Sequence, residues 1–71
     1  MPKLYSSKDI IKVLKKHKFT YVSQRGSHIK YRKHGRPVLT VIIPDNRREI
    51  PFGTFRSILR QSQLQESDFE K

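Results

Sequence analysis

Two stretches with the hydrophobic spacing of a helix flank a central stretch with strand character, and few small folds satisfy that order. In the first, Ile10, Ile11 and Leu14, with Val13 at the margin, recur at helical spacing, while Lys8, Lys12, Lys15 and Lys16 fall mainly on the remaining surface. Ser6 followed three residues on by Asp9 reads as an N-cap with a short capping-box acid, and Tyr5 can staple onto Ile10. The pattern predicts a helix over about residues 7–17. His17 and Lys18 then sit at the negative end of the helix dipole, where a cation is favoured, so His17 has a structural explanation without chemistry.

The central stretch opens with Phe19-Thr20-Tyr21-Val22-Ser23, aromatic and β-branched, and continues from Ser27 to Lys33 with a period of two. That period places His28, Lys30 and Arg32 on one face and Ile29 and Tyr31 on the other, with Tyr31 read as core. Arg25-Gly26 joins the two strands, and His34-Gly35-Arg36-Pro37 makes a tight connection to a third, Val38 to Ile43, which ends at Pro44. This third run is apolar on both faces, so a second protein is expected to cover one of them.

Asp45 to Glu49 form a polar loop, after which Phe55, Ile58 and Leu59 return to helical spacing and predict a helix over about residues 53–62. Gln65 to Phe69 suit one last helical turn, with Leu64 and Phe69 folding back on the body and Glu70 and Lys71 fraying. The expectation is one α+β domain spanning residues 1–71, ordered α-β-β-β-α, with both helices on one face of a three-stranded antiparallel sheet. That arrangement resembles a double-stranded-RNA-binding domain.

Charge bears on the partner. The 71 residues hold 16 Lys and Arg against 6 Asp and Glu, a formal +10. Three of the acids lie in the last six residues, so residues 1–65, with 15 basic and 3 acidic groups, carry +12. A body this cationic is suited to a polyanion. There is no cysteine, hence neither a disulfide nor a thiolate metal site. The three histidines and six acids show no metal-ligand spacing, and no nucleotide cofactor signature is present, so neither a metal nor a cofactor is expected. Residues 1–6 lack the apolar run of a signal peptide and no segment approaches a membrane span, so a soluble cytoplasmic protein without membrane contact is expected.

Gly26-Ser27-His28-Ile29-Lys30-Tyr31 concentrates the candidate chemistry. Histidine, with an unperturbed pKa of roughly 6.5, takes and gives protons near neutral pH, and neighbouring cations on the same strand face can hold a phosphodiester beside it. Together with Gly53-Thr54-Phe55-Arg56-Ser57-Ile58-Leu59-Arg60-Gln61, in this order and at this separation, the stretch resembles the HicA (YcfA-like) family of mRNA interferase toxins. The resemblance covers nearly the whole chain. It implies the toxin of a type II toxin–antitoxin system, an endoribonuclease that cuts mRNA, monomeric alone and held inactive in a hetero-oligomer with a HicB-type antitoxin. It places the catalytic histidine at His28. Family members often carry a second histidine directly after the first and another after the proline that ends the third strand; here those places hold Ile29 and Asp45-Asn46.

Beside His28 as general acid or base, Lys30 and Arg32 are expected to neutralise the phosphate, Gly26 to allow close approach of the backbone, and Ser27 to donate to a phosphoryl oxygen. Cleavage on this reading needs no metal. The alternative is a non-catalytic RNA-binding domain, or a degenerate toxin homologue, that uses the same basic surface.

Overall fold

The computed structural model describes residues 4–70. Its elements run in the order α1 (Ser7–Lys16), β1 (Thr20–Arg25), β2 (His28–Lys33), β3 (Leu39–Pro44), α2 (Phe52–Ser62) and a final 3₁₀ turn, Glu66–Phe69. The α-β-β-β-α order read from hydrophobic spacing is therefore the observed one, with ends displaced by a residue or two.

Helix α1 begins with the expected capping box. The Asp9 N–H donates to Ser6 Oγ at 3.0 Å and the Ser6 N–H donates to Asp9 Oδ2 at 3.2 Å. It stops at Lys16, one residue before expected, because His17 is its C-cap and Lys18 adopts a left-handed φ of 75°. The Lys18 N–H then reaches the Lys15 carbonyl at 3.1 Å and the Phe19 N–H reaches the Leu14 carbonyl at 2.9 Å. These are the two bonds of a Schellman motif, closed by burial of both Leu14 and Phe19. Phe19 is thereby committed to the helix end, so β1 starts at Thr20. A lysine in the left-handed region bears a strain that glycine does not. Lys18→Gly is expected to raise stability by about 0.5–1 kcal/mol, read as a higher urea midpoint at unchanged m-value.

The sheet is antiparallel throughout, in the order β1-β2-β3. Pairing of β2 with β3 is regular, from His28 opposite Pro44 to Lys33 opposite Leu39. Pairing of β1 with β2 jumps between Tyr21, opposite Tyr31, and Ser23, opposite Lys30, which leaves Val22 as an extra residue. A bulge of this kind reverses the facing of the residues beyond it. Tyr21 thus sides with Tyr31, their rings edge-on with centroids 6.0 Å apart, while Ser23 and Arg25 pass to the face of Lys30 and His28.

One face of the sheet presents Ile29, Tyr31, Val41 and Ile43, all buried, to Ile10 and Leu14 of α1 and to Phe55 and Ile58 of α2. Both helices therefore cover the same face. Burial contributes about 1.5–3 kcal/mol for each large apolar side chain. At one end of this core Tyr5, Phe55 and Phe69 form a ring cluster, with Phe55 centred 5.2 Å from Tyr5 and 5.1 Å from Phe69. Phe69 and Leu64 do fold back onto the body. Glu70, expected to fray, caps the 3₁₀ turn through its N–H to the Ser67 carbonyl at 3.2 Å; Lys71 lies outside the described residues. Desolvation raises both buried phenols above their ordinary value of 10.0, aided at Tyr5 by Glu70, Glu66 and Asp9 and at Tyr31 by Tyr21.

Among the described residues no helix lies on the other face. Of the apolar residues expected there, Ile42 is half-buried, while Val38 lies outside β3 and is 52% exposed.

Candidate active site

The turn between β1 and β2 is built so that the residue following it, His28, presents its side chain to solvent. Gly26 holds a φ of 59°, a region that a side chain disfavours, although a Cβ there would touch nothing within 4 Å. Gln24 braces the turn: its Nε2 donates to the Gly26 carbonyl at 3.1 Å and to Asp45 Oδ2 at 2.9 Å. The Asp45 N–H in turn donates to the Ser27 carbonyl at 2.7 Å, which locks the end of β3 onto the turn. His28 comes next as the first residue of the central strand, flanked by Arg25 on β1 and Pro44 on β3. Its side chain is exposed. A histidine with strands on both sides yet open to solvent has a fixed backbone and an accessible imidazole.

Two hollows meet at this residue. One, of about 290 Å³, lies on the bare sheet face between Ser23, Arg25, His28, Lys30 and Ile42. The other, of about 400 Å³, runs round the outer edge of β3 towards α2 and is lined by Ser27, His28, Ile42, Pro44, Asp45, Arg47, Thr54, Ser57 and Gln61. Of the residues singled out in the sequence, His28 and Lys30 share the first hollow, and His28 and Ser27 share the second. Gly26 shapes the turn without lining either. Arg32 is on the same face but about 13 Å along the strand from His28, at the rise of a β-strand, and its Nε donates to Thr40 Oγ1 at 3.4 Å.

Arg25 takes the nearer cationic position, which period-two reading from Tyr21 does not place on this face. The bulge at Val22 is what puts it there. Arg47 lies in no motif, and Thr54, Ser57 and Gln61, although part of the second matched stretch, carry no site role in the sequence reading; the fold is what brings them to the site. Ile29 is buried in the core, and Asp45 lines the cleft beside His28. The position after the strand-ending proline is thus a cleft position, held here by a carboxylate. Among the described residues no group of three or more His, Asp or Glu is placed to hold a metal ion.

The loop that carries Asp45 and Arg47 is anchored from α1. Ser7, 2% exposed, donates its hydroxyl to the Pro44 carbonyl at 2.6 Å and accepts the Arg47 N–H at 2.9 Å. Removing the hydroxyl strands both backbone groups, at a cost of about 1–3 kcal/mol. Ser7→Ala is expected to lower the thermal midpoint by at least about 4 °C, on the size scaling for a domain of this length. An unchanged midpoint would show that water satisfies the two groups instead.

Comparison with protein families bears on this geometry. The family described as HicA toxin of bacterial toxin-antitoxin matches residues 7–64. The chain belongs to the HicA toxin family. The match runs from the first residue of α1 to just beyond α2, so it takes in the whole sheet, the turn bearing His28 and every residue lining the two hollows. Among curated proteins, none matches the chain. As a HicA toxin it is the toxin component of a toxin–antitoxin system and has a cognate antitoxin as partner. No helix among the described residues is long and apolar enough to cross a membrane.

Proposed function

We propose that this toxin is a metal-independent endoribonuclease that cuts mRNA, with His28 as its general acid or base. The observation that carries the reading is the exposed His28 at the start of the central strand, on the helix-free face, with Arg25 and Lys30 lining the same hollow. A ribose phosphate lying across that face meets cations on both sides of an imidazole. His28 takes the proton of the ribose 2′-hydroxyl as that oxygen attacks phosphorus, or gives a proton to the departing 5′-oxygen. The phosphate gains negative charge as the fifth bond forms. Arg25 and Lys30 stabilise that charge, with Ser27 as a donor at the turn and Arg32 as a contact further along the backbone.

The partner is a HicB-type antitoxin, which silences the enzyme by hiding His28 and assembles with it as a hetero-oligomer in the cytoplasm. A free toxin is monomeric in this reading. A second reading, a basic domain that binds RNA without cutting it, is favoured by one observation: Ile29 and Asp45 stand where the family often has further histidines. Incubating the purified protein with single-stranded RNA in EDTA separates the two. Fragmentation supports the nuclease. Intact RNA with binding that weakens steeply as salt rises supports the binding domain.

A further inference from the structure

We propose that the cleft running from His28 round the edge of β3 to α2 is a nucleobase subsite, in which Gln61 and Thr54 select the base next to the cut phosphate. This rests on the nuclease reading above. The cleft's size, about 400 Å³, falls within the range of small-ligand sites, about 300–1,000 Å³. Its character differs from that of the basic face. Ile42 and Pro44 supply apolar surface, Thr54, Ser57 and Gln61 of α2 supply neutral hydrogen-bonding groups, and among the described residues Asp45 and Arg47 bring one charge of each sign to the lining. Phosphate contacts position a strand but carry no sequence information, whereas neutral donors and acceptors against an unstacked base do.

Gln61 has a defined orientation there. Its Oε1 accepts the Ile42 N–H at 3.0 Å, a backbone donor on the open edge of β3 that can only be met by an acceptor. The amide NH₂ is therefore the end left for a ligand, and among the described residues it has no partner. The Thr54 hydroxyl likewise has none among the described residues. Gln61 and Thr54 lie two turns apart on α2, about 10 Å along its axis, and line the same cleft as His28. A fixed donor and a free hydroxyl along that wall suit a base whose edge offers a carbonyl or ring-nitrogen acceptor. Stacking on Ile42 and Pro44 would hold the base while its 3′ or 5′ phosphate lies against His28.

Gln61→Glu tests this without removing the strand-edge bond, because a carboxylate oxygen still accepts the Ile42 N–H while the other oxygen replaces the donor. Cut sites are mapped on a mixed-sequence RNA, and binding to short oligonucleotides differing in one base is measured in parallel. Ratios between bases cancel the general weakening caused by the added charge. The expected result is a wild-type preference at one position beside the cut, shifted about 2- to 10-fold by Gln61→Glu towards bases that present an exocyclic amine, the size of one net hydrogen bond. Thr54→Val, which keeps volume and loses the hydroxyl, is expected to flatten the same position.

Equal base ratios in wild type and both variants would overturn the subsite. Should the wild type bind RNA without cutting it, the nuclease reading fails separately. The oligonucleotide ratios then still decide whether Gln61 reads a base.

Discussion

His28→Ala is expected to slow RNA cleavage in EDTA by about 10² to 10⁴-fold, the range lost with a general acid or base. The fold should not change. His28 is exposed and its side chain makes no hydrogen bond among the described residues, so the substitution belongs with surface changes, which stay within about 0.5 kcal/mol. The variant also retains Arg25, Lys30 and Arg32, and its affinity for RNA should track the wild type across a salt series. A loss of rate with neither a loss of stability nor a loss of binding isolates a chemical role. Cleavage by the alanine variant within a few-fold of wild type would place the proton transfer elsewhere, and Asp45, which shares the cleft, would be the next residue to change.

Phe55→Ala should have the largest effect on stability. Phe55 is 2% exposed and its ring contacts those of Tyr5, Phe52 and Phe69, joining the segment before α1, the start of α2 and the final turn. Truncating such a ring costs about 3–5 kcal/mol through lost transfer energy and the cavity left behind. A domain of this size has a total stability of about 4–10 kcal/mol at the usual 0.05–0.15 kcal/mol per residue. The variant is therefore expected to lose about a third or more of the total stability and to show a much lower urea midpoint by circular dichroism. Val38→Ala, at a position 52% exposed, should leave the urea midpoint nearly where it was. Similar midpoints for both variants would mean that the ring cluster does not carry the core.

Features set by neighbours in sequence were legible from the residues alone. Ser6 and Asp9 cap α1 as their spacing implies, and Ile29 and Tyr31 bury while His28 faces solvent because strand side chains alternate. The order of elements, the antiparallel sheet and the shared face of the helices come from the same local rules.

Features set by partners distant in sequence were not legible. Nothing in Tyr21-Val22-Ser23 announces a bulge, because the extra residue is defined by its register against Tyr31 and Lys30. Ser7 looks like an ordinary first helical residue until the fold brings Pro44 and Arg47 to its hydroxyl. Gln61 reads as a polar position on an amphipathic helix, and only the exposed edge of β3 gives its amide a direction. Lys18 gave no sign of a left-handed residue because lysine rarely adopts one; the demand came from Phe19 burying next to Leu14. Of the site residues, Gly26, Ser27, His28 and Lys30 were within reach of a motif. Arg25 needed the bulge, while Asp45, Thr54 and Gln61, which lie at or within matched positions of the sequence, were brought into one cleft only by the fold.

The central claim is that an imidazole drives attack by the ribose's own hydroxyl. It is tested most directly by giving the wild-type protein, in EDTA, an oligonucleotide with one ribose among deoxyriboses and its all-deoxy counterpart. The expected result is a single cut after the ribose, leaving a cyclic phosphate and a 5′-hydroxyl, with the all-deoxy strand intact. Cutting of the all-deoxy strand, or a 5′-phosphate at the new end, would contradict it.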